Sequence, residues 1–243
     1  MFSKQKILIA IFIVIALGAG VYFFLDSNRA KSEMPDVTID ASQDYSKVFT
    51  TAADLENKQD GGIGTGLYDE DIILGNPAAP VTIVEYASYT CSACSHFHAG
   101  PYKEIIDAYV TPGKVRFIYR DFLRNYPDFQ AGLITHCLPA RKAFAFAGII
   151  YEKQSVWFPQ LSDQDSANDN DFLRKTAKLA GLSDEAIDTC LADKEMQEKL
   201  LKVVADAQSL GVSSTPTLFI GKKAIVGVQS FEKYAQEIEA ALQ

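Results

Sequence analysis

From residue 71 onward the hydrophobic positions fall first into short β-branched runs between polar turns, then into a long series with helical spacing. Residues 72–74 (Ile-Ile-Leu) predict a short strand, 75–80 (Gly-Asn-Pro-Ala-Ala-Pro) a turn, and 81–86 (Val-Thr-Ile-Val-Glu-Tyr) a buried strand. A helix is predicted over 91–109, bent near Gly100-Pro101, where proline removes a backbone donor. A turn at 111–114 leads to a strand at 115–119. About 90 residues of helical pattern follow, with Phe129, Leu133, Ile134 and Cys137 on one face and Phe146, Ile149 and Ile150 on another. Residues 162–170 break the series; Ser183 then caps a helix whose first turn carries Asp184 and Glu185. Met196, Leu200, Val203 and Ala207 line a further face, ended by Gly211. The chain closes with a hairpin, 217–220 and 224–226, and a helix marked by Phe231, Tyr234, Ile238 and Leu242.

The amino-terminal pattern is different. Lys4 and Lys6 precede an uncharged, mainly apolar stretch at 7–25, closed by Asp26. Its length at 1.5 Å per residue roughly matches a hydrocarbon core of about 30 Å, so residues 1–25 read as a transmembrane helix. The upstream lysines orient the amino terminus to the cytoplasm and export the rest. A signal peptide cut near Ala16, Gly18, Ala19 or Gly20 is the alternative, although the apolar run continues past those sites. Residues 26–66 are polar, end in Gly-Gly-Ile-Gly-Thr-Gly, and read as a flexible tether with a short amphipathic, helix-like piece at 45–55. Residues 67–243 form the domain, with a helical insert at about 124–210.

The 243 residues are 48% apolar, enough for one sizeable core. A formal net charge of −8 leaves no basic face for nucleic acid. An exported domain meets an oxidising compartment, where its 4 cysteines make disulfides plausible.

Cys91-Ser92-Ala93-Cys94 stands where the second strand run turns into a helix. That position puts the first sulfur among free backbone N–H groups at the positive end of the helix dipole, which favours a thiolate. A thiolate beside a second thiol is the minimum equipment for thiol–disulfide exchange, with Cys91 as nucleophile and Cys94 as resolving thiol. The other reading is half a zinc site, which lacks a second paired set of ligands, so no metal is expected. Glu85 is an acid inside the apolar strand, and buried carboxyl groups can take or give the proton of a resolving thiol. Its alternative orientation faces solvent or pairs with Arg120. Thr215-Pro216 precedes the hairpin; packed against the cysteine turn with a cis bond, it would offer backbone groups to an extended substrate segment. His96 and His98, early in the cysteine helix, are candidates for tuning the thiolate. Cys137 and Cys190 both lie on apolar helical faces of the insert; a structural disulfide between them would stabilise by roughly 3–4 kcal/mol, the alternative being two buried thiols.

The element order is a βαβ unit and a ββα unit separated by helices, an α/β, thioredoxin-like topology with a helical insertion. On the segments at 73–86, 89–98, 115–121 and 212–220, the chain resembles the DsbA-like thioredoxin-fold oxidoreductases of bacterial envelopes. The resemblance implies a catalytic dithiol at Cys91 and Cys94, a buried acid at Glu85, a cis proline at Pro216, and an insert that helps bind unfolded chains. It implies an oxidoreductase that introduces disulfides into exported proteins as a monomer, without a bound cofactor, and is reoxidised by a quinone-linked membrane partner. A reductase or isomerase of the same fold, or a non-catalytic envelope chaperone, are the alternatives. Strongly oxidising members usually carry Pro-His between the cysteines, where this chain has Ser92-Ala93. By that criterion the Cys91 thiolate is less stabilised and the disulfide less oxidising.

Overall fold

The computed structural model describes residues 49–51, 66–158 and 171–243, so the apolar segment 1–25 and most of the polar stretch 26–66 lie outside the described residues. No helix among the described residues is long and apolar enough to cross a membrane.

Six strands among the described residues form one sheet in the order β1-β2-β4-β3-β5-β6. They are β1 (Phe49–Thr51), β2 (Ile72–Gly75), β3 (Val81–Ala87), β4 (Val115–Asp121), β5 (Thr217–Ile220) and β6 (Lys223–Val226). β3 runs parallel to β4 and antiparallel to β5. Every residue of β3 and β4 is buried, because helices cover both faces of the sheet. Alternation along β3 sends Val81 and Ile83 into a core shared with Phe97, Ile105, Tyr234 and Ile238. Val84 and Tyr86 enter the opposite core with Ile118, Val203 and Phe219.

α1 (Ser92–Ala99) follows β3 directly, and α2 (Pro101–Ile105) continues it after a break at Gly100. Pro101 at the start of α2 needs no backbone donor, so the bend falls where the sequence placed it. One π-helical turn, Ile106–Val110, ends the segment, closed by Thr111 N–H donating to the Ile106 carbonyl at 2.8 Å. Between β4 and β5 the described residues form six helices: α3 (Tyr126–His136), α4 (Ala140–Glu152), α5 (Gln154–Trp157), α6 (Asp171–Leu179), α7 (Asp184–Ala192) and α8 (Lys194–Ser209). α9 (Phe231–Ala241) closes the chain. A disulfide joins Cys137, at the end of α3, to Cys190 of α7, with Cα atoms 6.0 Å apart.

One segment departs from the sequence reading. Phe49–Thr51 falls inside the stretch read as tether and helix-like, yet pairs antiparallel with β2. An aromatic followed by two β-branched residues suits the open hydrogen-bonding edge that β2 would otherwise present.

Candidate active site

The turn between β3 and α1 carries the cysteines. Cys91 is the N-cap of α1 in an extended conformation, with φ −86° and ψ 117°, so its sulfur stands at the helix start. Its N–H donates to the Ser88 carbonyl at 3.1 Å. Both cysteines are reduced; Cys91 is 8% exposed and Cys94, one turn into the helix, is 0%. Across from them the Thr215–Pro216 bond is cis, and the Cys91 thiol donates to the Thr215 carbonyl at 3.3 Å.

These surroundings divide the two thiols. Cys91 is lowered from about 9 to about 5, chiefly by a hydrogen bond from the Cys94 side chain. Burial opposes the shift, while the Thr215 side chain and the N–H groups of Cys94 and Ala93 add to it. Cys94 is pushed well above its ordinary value by burial, by its bond to Cys91, and by the negative charge of Glu85. A thiolate at Cys91 and a protonated Cys94 are the states that thiol–disulfide exchange requires.

Glu85 neither faces solvent nor meets Arg120. Alternation puts it on the same face of β3 as Ile83, under α1, and it is fully buried. Arg120 lies on the other face, where it donates to Asp71 Oδ1 at 2.7 Å and to the Tyr86 hydroxyl at 2.9 Å. The Glu85 carboxylate oxygens sit 3.1 and 3.0 Å from His98 Nε2. The imidazole stacks on Tyr151, with centroids 4.1 Å apart and planes 14° off parallel. His96, by contrast, is exposed and borders an open groove with Pro101, Glu104 and Phe231. The groups that lower Cys91 are thus the second cysteine, the proline loop and the helix start.

Several contributors come from the insert and carry no motif. Asp128 of α3 is fully buried and accepts from the Ser88 hydroxyl at 2.6 Å, from Tyr89 N–H at 2.7 Å and from Arg124 N–H at 3.0 Å. Gln154 of α5 donates to the carbonyls of Tyr89 at 2.7 Å and Cys91 at 2.9 Å. Ser95 donates to the Tyr151 carbonyl at 2.8 Å. These bonds tie the cysteine turn to the insert and fix the backbone that presents the sulfur. One local signal marks Asp128: Asn125 caps α3, and an acid three residues on belongs to a capping pattern. Here, however, the acid turns to Ser88 and Tyr89. Among the described residues no group of three or more His, Cys, Asp or Glu side chains is placed to hold a metal ion.

A dithiol at a strand-to-helix turn, facing a cis-proline loop on a sheet of this order, defines a protein of thioredoxin fold with a helical insertion. Residues 68–240 match the thioredoxin family, and the chain belongs to that family as a DsbA-like member. A protein of Rickettsia bellii named for protein-disulfide oxidoreductase activity is 27% identical over 177 residues, 72% of this chain and 64% of that protein. The chain therefore spans less than two thirds of that relative's length. Among solved structures, alpha-DsbA1 of Wolbachia pipientis superposes with a TM-score of 0.67 at 26% identity, covering 73% of this chain and 94% of that one. A protein-disulfide isomerase from Novosphingobium aromaticivorans gives 0.62 at 26% identity, covering 73% and 100%.

Proposed function

We propose that the protein is a thiol–disulfide oxidoreductase that introduces disulfide bonds into exported proteins. The observation that carries this reading is the placement of Cys91 at a helix start, bonded to the Thr215 carbonyl and backed by the buried Cys94. With the pair oxidised, a substrate thiolate attacks Cys91 Sγ; the new S–S bond forms as the Cys91–Cys94 bond breaks and its electron pair passes to Cys94. A second substrate thiolate attacks the mixed disulfide, forms the substrate's own disulfide, and releases Cys91 as thiolate. The Thr215–Pro216 loop would hold an extended substrate segment in β-fashion.

The state that the protein stabilises supports the oxidising direction. A thiolate held at about 5 favours the reduced pair at neutral pH, and so makes the disulfide an electron acceptor. The helix-start N–H groups, Cys94 and Thr215 supply this although Ser92-Ala93 brings no histidine between the sulfurs. Reoxidation then needs an external acceptor, for which a quinone-linked membrane partner is our reading. We read residues 7–25 as the anchor that holds the domain at the outer face of the inner membrane, and Cys137–Cys190 as a structural bridge suited to an oxidising compartment.

Two measurements test this. Cys94→Ala, expressed in an oxidising envelope, is expected to accumulate mixed disulfides through Cys91; their absence would favour a non-catalytic binding protein. Equilibration with glutathione buffers is expected to give a potential well above the roughly −270 mV of thioredoxin. A value at or below that figure would sink the oxidase reading in favour of a reductase.

A further inference from the structure

Glu85 and His98 form a buried acid–imidazole pair whose members differ in access. Glu85 is 0% exposed and His98 is 8%, so the imidazole lies between the carboxylate and the solvent-reached edge of the fold. His98 is held on three sides. Tyr151 stacks on it at 4.1 Å, Tyr102 lies at 4.5 Å, and Phe97 meets it edge-on at 5.5 Å. Its Nε2 is within hydrogen-bond distance of both carboxylate oxygens, so the Glu85 carboxyl group is fixed in position. Cys94 and His98 are four residues apart on α1 and both are buried, so they share the helix face under which Glu85 lies, and the charge on Glu85 acts on Cys94 from there. The remaining titratable groups around the pair are Tyr119 on β4 and Tyr234 on α9, both phenols. Among the described residues no second basic side chain lies beside the pair.

We propose that His98 is a positioning residue for proton transfer at Cys94: it holds the Glu85 carboxylate beside the resolving thiol and passes the proton between that carboxylate and solvent. This rests on the dithiol exchange proposed above and adds the route of the proton. When the disulfide opens, the attacking thiolate's electron pair makes the new bond to Cys91, and the pair of the broken bond goes to Cys94 Sγ. Glu85 takes a proton from His98 and passes it to Cys94, which it neutralises; Glu85 returns to the carboxylate, and His98 is reprotonated from water. Closure runs the same transfers backward. His98 therefore acts on the buried sulfur through Glu85, away from the Cys91 thiolate that its place in the sequence suggested.

The test is the rate at which dithiothreitol opens the Cys91–Cys94 disulfide between pH 5 and 8, corrected for the thiolate fraction of the reagent. In the unmodified protein the corrected rate is expected to fall as pH rises, because opening must deliver one proton to Cys94. His98→Gln is expected to be slower by at least about tenfold at pH 6 and flat across the range, converging with the unmodified protein near pH 8. Glu85→Gln should show the same loss. The onset of Cys91 thiolate absorbance should stay in place in His98→Gln, which a collapsed or rearranged site would not allow. A His98→Gln profile overlaying that of the unmodified protein would overturn the proposal. So would a corrected rate independent of pH in the unmodified protein, a result that needs no variant to fold. Dithiothreitol opens the disulfide whatever the physiological substrate is. Failure to trap substrates with Cys94→Ala therefore sinks the proposed function and leaves this measurement readable.

Discussion

The reactive sulfur is set by a few neighbours, and each predicts a displacement when removed. Thr215 Oγ1 is buried without a hydrogen-bond partner among the described residues while Cys91 is a thiol, yet the Thr215 side chain is among the groups that lower that thiol. The hydroxyl is thus a donor waiting for the thiolate. A hydrogen bond to a charged group is worth about 1.5–3 kcal/mol, so Thr215→Val should raise the onset of Cys91 ionisation by about one to two pH units. Alkylation by iodoacetamide across pH 4–9 reads the shift directly. The sign for stability follows from the same thiol. Its folded value lies below its unfolded one, so ionisation stabilises the reduced protein fully above about 9, and that contribution is lost as pH falls through about 5. The oxidised protein has no such thiols to titrate. The gap in stability between the two forms should therefore shift toward the reduced form as pH rises, measurable by denaturation of each. Residue by residue, the sequence disclosed the cysteines and Glu85 because motif and strand alternation are local. It did not disclose that His98 serves Glu85, since that contact depends on how α1 lies across β3.

At the scale of elements, the cysteine turn is held as much by α3 and α5 as by its own strand and helix. Asp128→Ala would strand the N–H groups of Tyr89 and Arg124 and leave the Ser88 hydroxyl only Thr90 to donate to, at a cost of about 2–4 kcal/mol in chemical denaturation. Burial raises Asp128 to about 6, against its hydrogen bonds from Ser88 and the Arg124 and Tyr89 amides. Its folded value exceeds the unfolded value of about 3.9, so the native state holds this proton more tightly. The resulting contribution is full below about pH 4 and is lost as pH rises through about 6. Asp128→Asn removes the titration, and the stability difference between variant and unmodified protein should change across that window and be level above it. A difference constant from pH 4 to 7 would exclude the assignment. The order of strands and helices was legible because hydrophobic period, proline and glycine mark it locally. Asp128 and Gln154 were not, because their partners are 39 and 65 residues away and any polar side chain on an amphipathic helix looks the same in sequence. Phe49–Thr51 escaped for a related reason: three residues carry too little pattern, and the neighbouring strand edge supplies the rest.

At the scale of the whole molecule, the disulfide and the insertion points decide how the helical region moves with the sheet. Cys137 and Cys190 are 53 residues apart in sequence, and replacing both by alanine should lower stability by about 4 kcal/mol in the chain-entropy account. Denaturation with the Cys91–Cys94 pair kept oxidised in both proteins checks this, and dithiol exchange should survive. β4 and β5 flank β3, so the chain departs into the helical region and returns from it on either side of the strand that carries Cys91. The two crossing points lie only about 10 Å apart, two strand spacings, and both at the end of the sheet where the sulfur stands. The helical region is thus slung from two straps, at 122–125 and 213–216, and the second strap is the proline loop itself. The loop that closes over Cys91 is therefore also the chain's return path from the helical region, so the Thr215 carbonyl meets the sulfur only once that return is in place.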